Sequence, residues 1–289
     1  MHTATVRCLH ENGFHRMVYR QWGSAENERV LICVHGLARN SRDFDDLAQA
    51  LCRDYRVICP DVAGRGDSDW LPGPEHYNLA QYVQDMTTLI ARLGVDEVDW
   101  LGTSMGGLIG MCLAALPNSP IRTLVMNDIG PFVPAASLQR ISGYLGDFQF
   151  ADLKQAEQFL RQRYPALRHL TDTQWQHLAR CGVREAAGQY HLHYDPALAD
   201  ATRAHAGQDV DLWPLWQNLT IPQLLIWGER SDVLQENTVR QMQSNPQLSL
   251  LSLPELEHAP SLMEPEQIYH VQHWLRQHSA LKGNSATLR

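Results

Sequence analysis

Apolar residues come along this chain in short runs separated by segments in which they recur every third or fourth position. RVLICVHG at 29–36 lacks alternation, as a strand buried on both faces requires. TATVRCL and HRMVYRQWG before it are β-rich, and RVICPDV, VDWLG, IRTLVMNDI, IPQLLIWG and LSLLSL after it read as strands. Between them lie helical patterns. In NLAQYVQDMTTLIARLG, Leu79, Tyr82, Val83, Met86, Leu89 and Ile90 fall on one face. FDDLAQALCRDY has helical spacing as well, and MGGLIGMCLAAL, ENTVRQMQS and PEQIYHVQHWLRQH read as helices. Strand and helix at short intervals imply right-handed crossovers and a mainly parallel, doubly wound sheet.

The rhythm breaks at residue 132. From there to 216, SLQRISGYLG, DLKQAEQFLRQRY and DTQWQHLARCG read as helices, with no convincing strand among them. The pattern predicts a core domain over 1–131, a helical insertion over 132–216, the core resumed over 217–278, and a frayed tail over 279–289.

Composition narrows the class of function. The net charge is -8, with both signs interspersed and no basic stripe, which argues against nucleic acid as a partner. No apolar run is long enough for a membrane span, and the first residues do not read as a signal peptide. The six cysteines form no CxxC pair and read as reduced thiols, so a cytoplasmic protein is expected. His191 and His193 form an HxH pair, but a metal there needs a third ligand that the sequence does not name, and no metal is expected.

The chemistry gathers at three places. Gly102-Thr103-Ser104-Met105-Gly106 follows a predicted strand and opens a predicted helix. A strained strand-to-helix turn of this kind needs small flanking residues and lifts the serine hydroxyl out of the sheet edge. Ser104 is therefore the candidate nucleophile, although a serine there also suits a helix N-cap. A serine hydroxyl needs an imidazole to take its proton. Among fourteen histidines, His258 lies in the loop between the last strand and the last long helix, at the sheet edge that carries Ser104. The imidazole needs a carboxylate to fix its tautomer. Asp232, in the turn after IPQLLIWG and between Ser104 and His258 in chain order, is the first choice, with Asp128 after IRTLVMN as the alternative acid. The backbone N–H groups of Leu37 and Met105 are the candidate oxyanion donors, and His35 reads as a brace for that loop.

VHGL, DVAGRGDSD, GTSMGG, LLIWGERSDVL and EHAPSLMEPE, in that order, resemble the successive signatures of the α/β-hydrolase family over residues 28–276. The resemblance implies an α/β fold with a mostly parallel eight-stranded sheet flanked by helices, a helical cap after the sixth strand, and no cofactor. It also implies that Asp61, Arg65 and Asp67 are scaffold. Glu257 stands where many relatives have glycine before the histidine.

These residues predict a serine hydrolase that cleaves carboxylic esters of small to medium acyl groups through an acyl-enzyme, acting on a small-molecule ester as a monomer or homodimer. Carbon–carbon bond hydrolysis of ring-cleavage products is an alternative, disfavoured because LARNSRDF follows HG where a glycine-rich run is usual. A lactonase or perhydrolase would use the same residues, and a ligand receptor on this fold is the non-enzyme alternative. Trp213, Trp216, Phe132, Tyr144, Phe148 and Leu262 are candidate walls of a substrate pocket between sheet edge and insertion.

Overall fold

In a computed structural model of the protein, residues 1–279 are described. The expected tail falls, from residue 280, outside them. The chain begins with a hairpin of β1 (His2–His10) and β2 (Gly13–Trp22), followed by β3 (Val30–Val34), α1 (Asp45–Leu51), β4 (Arg56–Pro60), α2 (Leu79–Leu93), β5 (Val98–Thr103), α3 (Met105–Ala114) and β6 (Ile121–Asn127).

After β6 come β7 (Phe132–Val133), α4 (Ala135–Ser142), β8 (Gln149–Phe150), α5 (Leu153–Arg163), α6 (Asp172–Gly182), β9 (Val183–Ala186), β10 (Gln189–Leu192), α7 (Leu198–His205), β11 (Val210–Asp211) and the short α8 (Trp213–Trp216). The chain then returns to the sheet with β12 (Gln223–Gly228), α9 (Glu236–Met242), β13 (Leu248–Leu253) and α10 (Pro265–His278).

Eight strands form one sheet in the order β1-β2-β4-β3-β5-β6-β12-β13. β1, β2 and β4 pair antiparallel and the remaining neighbours pair parallel. Side-chain alternation along each central strand divides the core in two. Val30, Ile32 and Val34 of β3 join Trp100, Leu124, Met126 and Leu225 on one face, against α2, α3 and α9. Leu31, Cys33, Leu101, Val125 and Ile226 point to the other face, against Leu47 and Leu51 of α1 and Val271, Trp274 and Leu275 of α10. This two-sided burial is why β3 and β12 carry unbroken apolar runs. β13, at the edge, is half-buried throughout.

The insertion is not wholly helical. β8, β10 and β9 make a small antiparallel sheet, and β11 pairs with β7 where the segment leaves and rejoins the core. Strands of two to four residues hold too few side chains to show a period, so the helical expectation for this stretch stands corrected. All six cysteines are free thiols. Among the described residues no helix is long and apolar enough to cross a membrane.

Candidate active site

Ser104 occupies the turn between β5 and α3 with φ 51° and ψ -115°, a strained conformation for a residue with a side chain. The surroundings hold it there. Its N–H donates to the Asn127 carbonyl at the end of β6 (3.0 Å), and its carbonyl accepts from the Gly107 N–H (2.8 Å). Close backbone approach forbids side chains two residues to either side of it. A Cβ on Gly102 would lie 2.1 Å from the Gly106 carbonyl carbon, and one on Gly106 would lie 2.1 Å from the Val34 carbonyl oxygen. Although Ser104 stands at the N-cap position of α3, its hydroxyl caps nothing. Instead Oγ lies 2.9 Å from Nε2 of His258.

The opposite ring nitrogen of His258 is 2.8 Å from Oδ2 of Asp128. Here the structure departs from the sequence expectation, which favoured Asp232. The Asp232 carboxylate is paired in bidentate fashion with the Arg140 guanidinium of α4, with Nη2 to Oδ1 at 2.7 Å, and is half-exposed. Asp128 is fully buried at the end of β6, with φ 54°, and its second oxygen accepts the Gly228 N–H at the end of β12 (2.8 Å). β6 lies between β5 and β12, so one carboxylate there meets the imidazole over β5 and is fixed by the next strand. Acceptance by Asp128 at Nδ1–H leaves the Nε2 lone pair facing Ser104.

The loop after β3 is held by His35. Its ring is fully buried, with Nδ1–H donating to the Gly36 carbonyl (2.7 Å) and Nε2 accepting the Val62 N–H (3.0 Å). Burial pushes its pKa down to about 4, so the imidazole stays neutral. Arg65, also fully buried, donates to the carbonyls of Leu37 (2.8 Å) and Ala63 (2.7 Å) and to the Tyr82 hydroxyl (2.8 Å). Among the described residues the N–H groups of Leu37 and Met105 donate to no protein acceptor. Met105 is the first residue of α3, where an amide has no acceptor within the helix.

Ser104 and His258 open onto a cavity of about 400 Å³. One side is Gly36–Arg39 after β3 and the His258 loop; the other is α4, α5 and β10 of the insertion. Of the six predicted wall residues, Tyr144 lines it. Trp216 is buried in the core, Leu262 packs on the sheet face that bears α1 and α10, and the Phe148 ring packs tilted against Phe159. Trp213 and Phe132 sit where the insertion meets the core, away from the cavity. Arg163, Tyr164 and Tyr194 do line it, and no signal in the sequence distinguished them. Glu257 lines the cavity as well, its carboxylate 3.2 Å from Arg168.

Groups able to bind a metal are few. Cys8, His15 and Asp85 bring ligand-type atoms within 4.8 Å of one another among the described residues. They are buried between β1, β2 and α2, with His15 Nε2 bonded to Asp85 (3.0 Å), and none lines the cavity. His191 bonds to Asp147 (3.1 Å), whereas His193 Nδ1 faces the Cys181 carbonyl (3.2 Å), so the HxH pair is divided between different partners.

Comparison with known proteins agrees with this architecture. A family described as the alpha/beta hydrolase fold matches residues 29–265. The chain is 44% identical to a 3-hydroxybutyrate-oligomer hydrolase of Cupriavidus necator over 274 residues, covering 91% of this chain and 94% of that protein. An α/β hydrolase of Novosphingobium aromaticivorans superposes with a TM-score of 0.85 at 36% identity, covering 95% of this chain and 98% of that one. A Rickettsia typhi structure described as a hydrolase superposes with a TM-score of 0.90 at 33% identity, covering 96% and 99%. These matches run through both the core and the insertion, and the chain belongs to the α/β-hydrolase fold family, as a hydrolase.

Proposed function

We propose that the protein hydrolyses carboxylic esters by acyl transfer to Ser104, and that its substrates are short esters of hydroxy acids such as oligomers of 3-hydroxybutyrate. The observation that carries the reading is the continuous line Asp128–His258–Ser104, at 2.8 and 2.9 Å, beneath a cavity of about 400 Å³. In this reading His258 Nε2 takes the Ser104 proton as Oγ attacks the ester carbonyl. Asp128 holds the ring and stabilises the imidazolium. The Leu37 and Met105 amides receive the carbonyl oxygen as it gains charge. The imidazolium then protonates the departing alcohol, and a water activated by the same ring releases the acid. The insertion acts as the cap of the site, since α4, α5 and β10 supply the wall opposite Ser104. The likeness to the Cupriavidus necator enzyme, which covers nearly all of both chains, supports the substrate class.

The test is turnover of 3-hydroxybutyrate dimer and trimer and of nitrophenyl butyrate by the protein and by Ser104→Ala. The reading expects the serine variant to lose about 10³-fold or more on all three substrates. Undiminished hydrolysis by Ser104→Ala would sink the acyl-enzyme. Nitrophenyl ester hydrolysis without oligomer hydrolysis would sink the substrate class and leave the mechanism.

A further inference from the structure

The charges on the cavity wall cancel in pairs with one exception. Arg39 grips Asp43 through Nε (2.9 Å) and Nη2 (2.6 Å). Arg140 is bidentate to Asp232, Arg230 pairs with Glu255, and Glu257 is met by Arg168. Arg163, at the end of α5, is the remaining cation of the wall, and among the described residues it has no carboxylate and no hydrogen-bond acceptor. Aromatic rings surround it instead. Its guanidinium carbon lies 4.8 Å from the centroid of Tyr144, 4.9 Å from Phe159 and 5.4 Å from Phe148. Ring faces stabilise the charge and displace water from it, but they accept none of its five N–H bonds. A half-buried, unpaired fork of this kind suits a planar carboxylate, which takes two N–H bonds side by side.

We propose that Arg163 binds a free carboxylate of the substrate and thereby selects esters of hydroxy acids whose terminal acid is uncapped. The proposal rests on the reading of Ser104 as the nucleophile of an ester hydrolase. In a linear oligomer the free carboxylate lies on the alcohol side of every ester bond. When Ser104 Oγ bonds to the acyl carbon and the C–O bond breaks, the leaving alkoxide takes the proton from His258, and the departing fragment is the one that Arg163 holds. The arginine therefore orients the leaving group.

The experiment compares kcat/KM for the 3-hydroxybutyrate dimer as free acid with that for its methyl ester. A charge-assisted bidentate contact predicts a preference for the free acid of about 10- to 100-fold in the native enzyme, carried by KM. In Arg163→Gln the preference falls to near unity, and in Arg163→Lys it is partly kept. A native preference near unity, or one that survives in Arg163→Gln, overturns the proposal. Should Arg163→Gln fail to fold, inhibition of the native enzyme decides. Hydrolysis of neutral nitrophenyl butyrate should be inhibited about tenfold more strongly by 3-hydroxybutyrate than by its amide, and equal inhibition overturns the proposal. Ser104→Ala on nitrophenyl butyrate tests the underlying reading separately, because that substrate has no carboxylate for Arg163 to hold.

Discussion

Asp128 combines three features that each cost free energy: a carboxylate wholly out of water, a positive φ, and a side chain fixed from both ends. In the proposed mechanism that cost is offset by what the carboxylate does for His258. Replacing it by Asn retains the shape but puts the wrong hydrogen-bonding group opposite Nδ1, and the imidazole turns to the tautomer that cannot accept from Ser104. Asp128→Asn should lower kcat on nitrophenyl butyrate by about 10⁴-fold, whereas Asp232→Asn, which only weakens a half-exposed pair with Arg140, should stay within about threefold. The reverse ranking would restore Asp232 as the acid.

His35 gives a second test at this scale. Its folded pKa is lowered from 6.5 to about 4, so between those values the unfolded chain binds a proton that the folded one refuses. Its contribution is full above pH 6.5 and is lost as pH falls toward 4, by about 3 kcal/mol in total. Urea unfolding of the protein beside His35→Gln should show a shallower decline for the variant across that window. Parallel slopes would mean that the buried imidazole is protonated in the fold. That Ser104 and His258 meet was legible, because a motif and a loop position mark them. Asp128 and Asp232 both follow strands that end at the same sheet edge, and what separates them in the fold, the Gly228 amide on one and Arg140, 92 residues away in the chain, on the other, leaves no local pattern.

Between elements, the turn at Ser104 depends on contact between backbones. α3 comes so close to β3 that a methyl group on Gly106 would strike the Val34 carbonyl oxygen, a backbone atom with no freedom to turn aside. Gly106→Ala should cost about 3 kcal/mol or more in urea unfolding. Gly207→Ala, where the added methyl meets nothing within 4 Å, should change stability by less than about 0.5 kcal/mol. Similar costs for the two would remove the argument that packing of α3 on the sheet fixes the turn. The eight strands of the main sheet were legible as apolar or β-rich runs, and α1 to α6, α9 and α10 as helical patterns, whereas α7 and α8 were not read. β7 to β11 were not, since pairing of two to four residues is decided by what the folded chain lays beside them.

Across the molecule, attachments of several kinds join the insertion to the core, and two of them contrast. One is buried and made largely of backbone. Asp195 N–H donates to the Gly64 carbonyl (2.7 Å), Gly66 N–H donates to the His193 carbonyl (2.9 Å), and the Tyr77 hydroxyl donates to Asp195 Oδ2 (2.5 Å) while accepting the Leu71 N–H (2.7 Å). The scaffold turn 61–69 thus extends its role from bracing the loop after β3 to anchoring the segment that walls the cavity. The other attachment is exposed and ionic. Arg168 meets Glu257 and the Glu255 carbonyl next to His258. Ion pairs in water are screened by salt and contribute little, whereas a buried acceptor left without its donor costs about 1–3 kcal/mol. The two should therefore respond differently to removal. Tyr77→Phe, which strips the buried carboxylate of a donor, should lower stability by about that amount and open the segment 132–216 to limited proteolysis. Arg168→Ala should leave both measurements close to those of the native protein at physiological salt. If Arg168→Ala proved the more damaging of the two, the insertion would be held at the His258 loop, and the wall that carries Arg163 would be anchored by the loop that carries the imidazole.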